Sequence, residues 1–304
     1  MRVGRLLLGM VAGNAFAVLL FAFGRLLFSL TAASNLVVGL PSLLLVPFSI
    51  GLIAAWVWKR LELGIGDVLL HSFSCTALGL IIAIGVLHEG AICLVIMSPI
   101  LYGGIAAGAL TGRVWFRKDR DRLNLCLAPV LGLAIIAEPA VRTPHMSVVT
   151  DEIRIAAPPS KIWPHVLAFR PIAEPPRYWL FRAGLPYPVE TINAGNFVGA
   201  QRECRFSAGA VFRETVSELD PGSRLTFDIV EIPRDPELLG HLDAYRGQFE
   251  LRDNGDGTTS LIGRTWYSLH VRPAWYFDWW THDIFRAVHL RVMRNIKRLA
   301  EAQL

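Results

Sequence analysis

Acidic residues are scarce where this chain begins. Residues 1–150 hold six Asp and Glu against eleven Lys and Arg, so they carry the whole net charge of +5, while residues 151–304 hold nineteen of each. Charge is thin overall, at 18%, against roughly 25% in an ordinary soluble domain. Cysteine is thin too. Cys75, Cys93, Cys126 and Cys204 form no CxxC and no Cys/His spacing, which excludes a zinc ribbon and a disulfide framework. There is no phosphate loop, no GxSxG elbow and no Cys–His pair placed for nucleophilic attack, so the common nucleotide-binding and hydrolase signatures are absent. The basic surplus lies between apolar spans, where it sets membrane topology, and is not a nucleic-acid footprint. No nucleic-acid partner, no metal and no cofactor is expected.

What is present is apolar, at 53% of residues, and the excess is all in the first half. A hydrocarbon core about 30 Å thick needs about 20 apolar residues in a helix. Leu6–Phe23, Leu36–Val57, Val68–Leu87 and Ala91–Leu110 meet that need. A fifth run, Leu123–Ala137, carries Pro129. At about 1.5 Å per residue it covers roughly 22 Å, so it either crosses a thinned bilayer or lies in the interface. Arg2 and Arg5 flank the first span, Lys59 and Arg60 follow the second, and Arg113, Arg117, Lys118, Arg120 and Arg122 follow the fourth. A cytoplasmic N-terminus puts all three clusters on the cytoplasmic side, with Arg25 the one misfit. The fifth run is expected to cross, which places the second half outside the cytoplasm. Ala15-Phe16-Ala17 resembles a signal-peptidase site, but apolar residues continue beyond it, so an uncleaved anchor is expected. The expected location is a bacterial inner membrane, spanned several times.

Gly104, Gly108 and Gly112 repeat every four residues, as do Gly9 and Gly13. Small residues at that spacing let helices approach closely, which suits helix pairing or a homo-oligomer; the plainer reading is that glycine is frequent in such spans. Glu89 and Glu138 sit at span ends and read as solvated. His88-Glu89 is no zinc-protease motif, because the fifth position is Ile92.

Glu138–Ser147 holds two prolines and marks a linker. The expected domains are a transmembrane helical region at 1–138, a linker at 139–147 and a mixed domain at 148–304. In the last of these, Val148–Ala156 reads as a strand. Pro158-Pro159-Ser160 opens a short helix, and Trp179-Leu180-Phe181 a second. Strands follow at Val189–Asn193, Val198–Phe206, Val211–Leu219, Arg224–Ile232, Tyr245–Leu251 and Thr259–Val271, separated by turn residues such as Asn254-Gly255-Asp256-Gly257. Pro273–Leu304 reads as one long helix. Phe277, Trp280, Ile284, Val288, Val292, Ile296 and Leu299 form its apolar stripe. The predicted fold is therefore a membrane α-helical bundle of four or five transmembrane helices, followed by an α+β domain. In that domain an antiparallel sheet of about seven strands wraps on the long C-terminal helix.

Several stretches of the second half resemble the START-type, polyketide-cyclase-like (SRPBCC) helix-grip superfamily. Ile153-Arg154-Ile155-Ala156-Ala157-Pro158-Pro159-Ser160-Lys161-Ile162-Trp163 is similar to its opening strand and proline-led helix. Gly199-Ala200-Gln201-Arg202, Phe212-Arg213-Glu214, the stretch from Gly247 to Leu251 with the Gly257-Thr258-Thr259 turn, and Ile296-Lys297-Arg298-Leu299-Ala300-Glu301 are similar as well. The resemblance covers about half of the chain and leaves the membrane half outside it. It implies a helix-grip domain with a deep apolar cavity between sheet and helix. Members of the superfamily bind lipids, sterols or polyketides, and some catalyse cyclisation or dehydration; no universal catalytic motif carries over.

A cavity needs apolar walls and a few oriented polar groups. Trp275, Tyr276, Trp279, Trp280 and Phe285 on the helix are candidates for the walls, together with Trp179, Phe181, Phe206, Phe227, Phe249 and Trp266. The competing expectation is that these rings fill the core solidly. Arg202 and Glu203 alternate in direction, so one at most faces inward. An inward Arg202 would orient a ligand carboxylate or carbonyl; a surface ion pair is the competing expectation. His289 with Glu214 or Asp283, and Tyr267, are the candidates for acid–base chemistry, set against a solvated or satisfied core histidine. His282 and His289 lie roughly 10 Å apart along a helix, too far to share a metal ion. The acidic turn near Asn254 has the wrong spacing for calcium, and a hairpin accounts for it.

The expected function is membrane-anchored binding, transfer or sensing of an apolar small molecule, such as a lipid, isoprenoid or polyketide, with membrane lipids as partners. The alternatives are a cyclase- or dehydratase-type enzyme in the same cavity, and a structural or interaction protein with a filled core.

Overall fold

Uninterrupted apolar runs of this length leave the backbone no partner but itself, and helices result. The structure is a computed structural model and describes residues 2–30, 40–88, 90–116, 144–233, 237 and 242–302. The fifth run Leu123–Ala137, Glu89, Glu138, the cluster from Arg117 to Arg122 and the linker as far as residue 143 lie outside the described residues. The chain divides into two compact units, Met1–Thr143 with His270–Pro273, and Pro144–Leu269 with Ala274–Leu304.

The first unit holds α1 (Arg2–Leu30), α2 (Leu40–Trp58), α3 (Ile65–Ile82) and α4 (Ala91–Phe116). Arg2–Phe23, Leu43–Leu61, Ile65–Val86 and Ala91–Phe116 are long and apolar enough to cross a membrane. The glycine spacing acts within the chain. A Cβ on Gly108 would overlap the Phe48 carbonyl and one on Gly51 the Ile105 carbonyl, so α2 and α4 meet backbone to backbone. Gly9 and Gly13 face Trp58 and Ile50 in the same way. These faces are occupied inside the bundle. Buried Asn14 links α1 to α3, its side-chain nitrogen donating to the Met10 and Cys75 carbonyls at 2.9 and 3.2 Å.

The second unit holds β1 (His145–Ile155), α5 (Pro159–Leu167), α6 (Trp179–Ala183), β2 (Pro188–Asn193), β3 (Gln201–Phe206), β4 (Val211–Asp220), β5 (Arg224–Glu231), β6 (Leu242–Asp253), β7 (Thr259–Leu269) and α7 (Ala274–Glu301). The first strand starts at His145, inside the stretch expected as linker. The seven strands form one antiparallel sheet in the order β1-β7-β6-β5-β4-β3-β2. Register shifts in the β4–β5 and β6–β7 ladders add local twist to a sheet that curls about α7. This is a helix-grip domain.

Period-2 alternation turns Ile155, Leu261, Leu251 and Leu225 to one face, where they join Met293, Ile296 and Ala300 of α7 in the core. The end of α7 is tied down by Glu301, which accepts the Ala156 N–H at 2.8 Å. The buried face of α7 differs from the expected stripe. Phe277, Val292 and Ile296 are buried, but Ile284 and Val288 are half-buried, and Thr281 and His289 take places in the buried face. A stripe drawn from apolar residues alone cannot contain polar residues that the sheet opposite satisfies.

Candidate functional site

Two polar groupings face the interior between sheet and helix. The first comes from β3 and β4. Their register sets Arg202 opposite Glu214, and both side chains point inward. The side chains are 2% and 6% exposed, with Arg202 Nε 3.5 Å from Glu214 Oε2. The surface ion pair expected for Arg202 is therefore overturned. A polar residue reads as outward in a strand, yet the register with Glu214 supplies a buried countercharge. The Arg202 guanidinium also lies 4.4 Å over the Phe227 ring. Phe227 leans across Gly247, where a Cβ would collide with the ring.

The pair is close enough for charge attraction but poorly aligned for a hydrogen bond. Arg202 Nε and one terminal nitrogen, with Glu214 Oε2, are buried without a hydrogen-bond partner among the described residues. Burial pushes the Glu214 carboxyl up to about 7, against the pull of Arg202. Cys204, two residues along β3, has its thiol pushed up to about 12 by burial and by the Glu214 charge, so it is no nucleophile at neutral pH.

The second grouping centres on His289. Its Nδ1 lies 2.8 Å from Asp151 Oδ2 on β1, and its Nε2 lies 2.8 Å from Thr265 Oγ1 on β7. The expected partners, Glu214 and Asp283, are not the ones it has; Asp283 instead accepts the Tyr178 hydroxyl at 2.6 Å. In the tautomer with hydrogen on Nδ1, that nitrogen donates to Asp151 Oδ2 and Nε2 accepts from the Thr265 hydroxyl. This arrangement can hold or pass a proton. Nearby, the fully buried Tyr267 donates to Asp278 Oδ1 at 2.7 Å, and burial and Asp278 raise its hydroxyl well above the ordinary tyrosine range. A phenol held so far toward its neutral form is a hydrogen-bond donor, not a base.

The aromatic candidates separate into inner and outer sets. Phe227 and Phe249 pack together inside, 6.3 Å between ring centroids, and Phe206 packs on Phe212 at 4.6 Å. Phe285 lies on Tyr267 at 5.2 Å. Four of the expected walls, Trp275, Trp179, Trp266 and Trp279, are not interior. Trp275 and Trp179 are 75% and 53% exposed, and Trp266 shares the outer face of the sheet with its register partners Val148 and Arg246. Trp279, also exposed, stacks edge-on with half-buried Trp280, which in turn meets Trp179. Tyr276 packs between Trp275 and Phe277. Buried Phe181 lines a groove that α7 shares with the segment from Ile172 to Tyr178. Hydropathy places an indole in the core, whereas its N–H and large rim tolerate exposure.

Sequence reasoning misses Asp151, Thr265 and Asn295. The first carries a signal: Asp151 keeps the parity of Val149, Ile153 and Ile155, so an inward acid is legible there. Asn295 carries none.

A family model described as polyketide cyclase / dehydrase and lipid transport matches residues 146–301. The chain belongs to this family. Solved structures similar to it include norcoclaurine synthase from Thalictrum flavum in complex with dopamine and hydroxybenzaldehyde, at 16% identity and a TM-score of 0.38, over 53% of this chain and 90% of that one. A Nitrosospira multiformis protein is 17% identical with a TM-score of 0.35, over 50% and 94% of the two chains. One from Mesorhizobium loti is 18% identical with a TM-score of 0.34, over 51% and 98%. No curated protein matches the chain. Membership in the polyketide cyclase/dehydrase and lipid transport family supports binding of a hydrophobic ligand in general terms.

Proposed function

We propose that the protein is a membrane-anchored binder of an apolar small molecule, such as a lipid, isoprenoid or polyketide, which it holds for transfer or sensing inside the helix grip. The observation that carries this reading is the buried Arg202–Glu214 pair beside Phe227, with nitrogens and an oxygen that have no hydrogen-bond partner among the described residues. An unmade hydrogen bond at a buried polar group costs about 1–3 kcal/mol, and more for a charged one. A ligand carbonyl or carboxylate at that point recovers the loss, while Phe227 and Phe249 take its apolar body. Family membership and the four apolar helices support the same reading, because an anchor raises the effective concentration of the pocket near a membrane-dissolved ligand. The domain stands on the extracytoplasmic side in this proposal. Labelling of a Thr150→Cys variant with an impermeant maleimide in intact cells checks the side.

The principal test is mass spectrometry of small molecules carried through purification of the full-length protein in detergent. An apolar species bearing a polar oxygen is expected with the wild type and is depleted at least tenfold in Arg202→Met, the loss of a charge-assisted hydrogen bond. A wild type that carries no such species defeats the proposal.

The Asp151–His289–Thr265 arrangement favours a second reading, a cyclase- or dehydratase-type enzyme on the same ligand. In it, His289 removes a proton and Asp151 stabilises the imidazolium. Incubating the released ligand with fresh protein distinguishes the two readings. Loss of water or a change of chromatographic position that His289→Asn abolishes, with binding retained, identifies catalysis; unchanged ligand identifies binding alone.

A further inference from the structure

Between α7 and the segment from Ile172 to Phe181 runs a groove of about 600 Å³. Its floor is apolar, with Ile172, Pro175, Phe181 and Leu290. Its rim is basic: Arg177, Arg286, Arg291, Arg294, Lys297 and Arg298 stand against Glu174, Asp283 and Glu301. Those three carboxylates are already engaged. Glu174 pairs with Arg298 at 2.6 Å, Glu301 faces Lys297 at 3.7 Å, and Asp283 holds the Tyr178 hydroxyl. Arg286 lies 3.6 Å from Asp151.

Three guanidinium groups of the rim form no ion pair with a carboxylate among the described residues. Arg291 donates to the Pro188 and Glu174 carbonyls at 2.9 and 3.1 Å, and its guanidinium lies 4.7 Å over the Tyr187 ring, so its position is fixed. Arg177 and Arg294 have no ion pair or side-chain hydrogen bond among the described residues. Arg291, Arg294 and Arg298 follow three- and four-residue spacing and share one helix face. Asn295 lines the same groove, is 3% exposed, and its side-chain nitrogen is buried with no acceptor among the described residues. Its oxygen takes a bond from Arg298 at 2.8 Å, so the amide is oriented with only its donor end unmet. Donors without acceptors, gathered above an apolar floor, ask for an oxyanion on an apolar stem. Guanidinium groups bind carboxylate and phosphate oxygens in paired, charge-assisted hydrogen bonds.

We infer that this groove is a second binding site, separate from the interior of the grip, for the phosphate head of an amphiphile whose first apolar atoms lie along Ile172, Phe181 and Leu290. Arg177, Arg291 and Arg294 hold the phosphate, and Asn295 donates to it. The phosphate belongs either to a membrane phospholipid or to a soluble phosphate ester.

Native mass spectrometry of the full-length protein in detergent, with dioleoylphosphatidylglycerol offered, tests the site. The Arg177→Gln/Arg294→Gln variant is expected to retain this lipid about tenfold less well than the wild type, the effect of losing charge-assisted hydrogen bonds. Both positions are exposed, so folding is preserved. Competition with inorganic phosphate separates the sources: displacement assigns the groove to soluble phosphate esters, and persistence of the lipid assigns it to phospholipid. A wild type that carries no interior ligand yet loses this lipid in the double variant supports the groove alone, and one that carries the ligand while the double variant retains the lipid supports the interior alone, so the two readings fail separately. Unchanged retention in the double variant overturns the inference. So does an equal loss in Arg224→Gln/Arg252→Gln, which removes the same charge from the sheet.

Discussion

The membrane-type helices and the helix-grip domain both bury polar side chains, but they satisfy them differently. In the helices the bonds are mostly local. Ser49 donates to the Leu45 carbonyl at 2.7 Å and Thr76 to the Ser72 carbonyl at 2.9 Å, each one turn back on its own helix. Asn14 reaches one turn back and across to α3. Ser72 Oγ is the exception, with no partner among the described residues. In the grip domain the buried polar residues come from different strands and from α7, and the most costly of them, Arg202 and Glu214, are left incompletely bonded. Local satisfaction supports a helix and nothing more. Polar groups brought together from distant positions and left short of partners carry a stability cost that a bound ligand removes. The contrast points to the second half as the one that binds.

The largest effect expected from testing that contrast is at Arg202. Arg202→Met leaves Glu214 buried without its cation, and breaking a buried pair in this way costs about 3–5 kcal/mol. The Arg202→Met/Glu214→Leu double variant removes both charges and is expected to recover that loss, even to exceed the wild type by about 1–4 kcal/mol, while binding no ligand. Chemical unfolding followed by tryptophan fluorescence in detergent measures both. A double variant as unstable as the single one would show that the pair supports the fold and is not held ready for a ligand.

Next in size is the pH dependence of Glu214. Its folded pKa is raised, from an ordinary 4.5 to about 7, because burial outweighs the pull of Arg202. The folded state therefore holds the proton longer than the unfolded one. The contribution to stability is fully present below the ordinary carboxylate value and is lost as pH rises to about 7. A shift of this size corresponds to on the order of 3 kcal/mol. Glu214→Gln is expected to flatten that part of the stability–pH curve and to leave its remainder unchanged. The neutral amide also mimics the protonated acid, so Arg202→Met is expected to cost less near pH ~5 than near pH ~8. An Arg202→Met penalty that does not vary with pH contradicts the raised value.

The same contrast explains which parts are legible in the sequence. The four spans are readable because length and hydropathy alone decide a membrane-type helix. The seven strands and α7 are readable because period-2 and period-3.6 patterns separate cleanly across turns such as Asn254–Gly257. The inner polar residues are not, because alternation tells which residues share a face and not which face is buried. Arg202 admits two opposite fates for that reason, and only its register with Glu214 decides between them. His289 stands out on its helix, but its partners Asp151 and Thr265 lie 138 and 24 residues away, and only the β1–α7 and β7–α7 packing joins them. Trp179 and Trp275 are misplaced by a scale that rewards ring size and ignores how well tryptophan tolerates water.

The smallest expected effect lies in the first half and tests the other arm of the comparison. Asn14 is buried at 3% exposure, and the Asn14→Ala variant loses its bond to the Cys75 carbonyl along with the one to Met10. Interhelical hydrogen bonds of this kind contribute about 0.6 kcal/mol on average and at most about 2 kcal/mol. Leu6, Met10, Ile50 and Trp58 pack around the same helices, so α1 is expected to stay in place by shape alone. Steric-trap or denaturant unfolding of the full-length protein should therefore register a loss near the lower figure, with binding of the apolar ligand unchanged. A loss of ligand in Asn14→Ala, with the fold intact, would place a functional group among the helices and break the division drawn between the two halves.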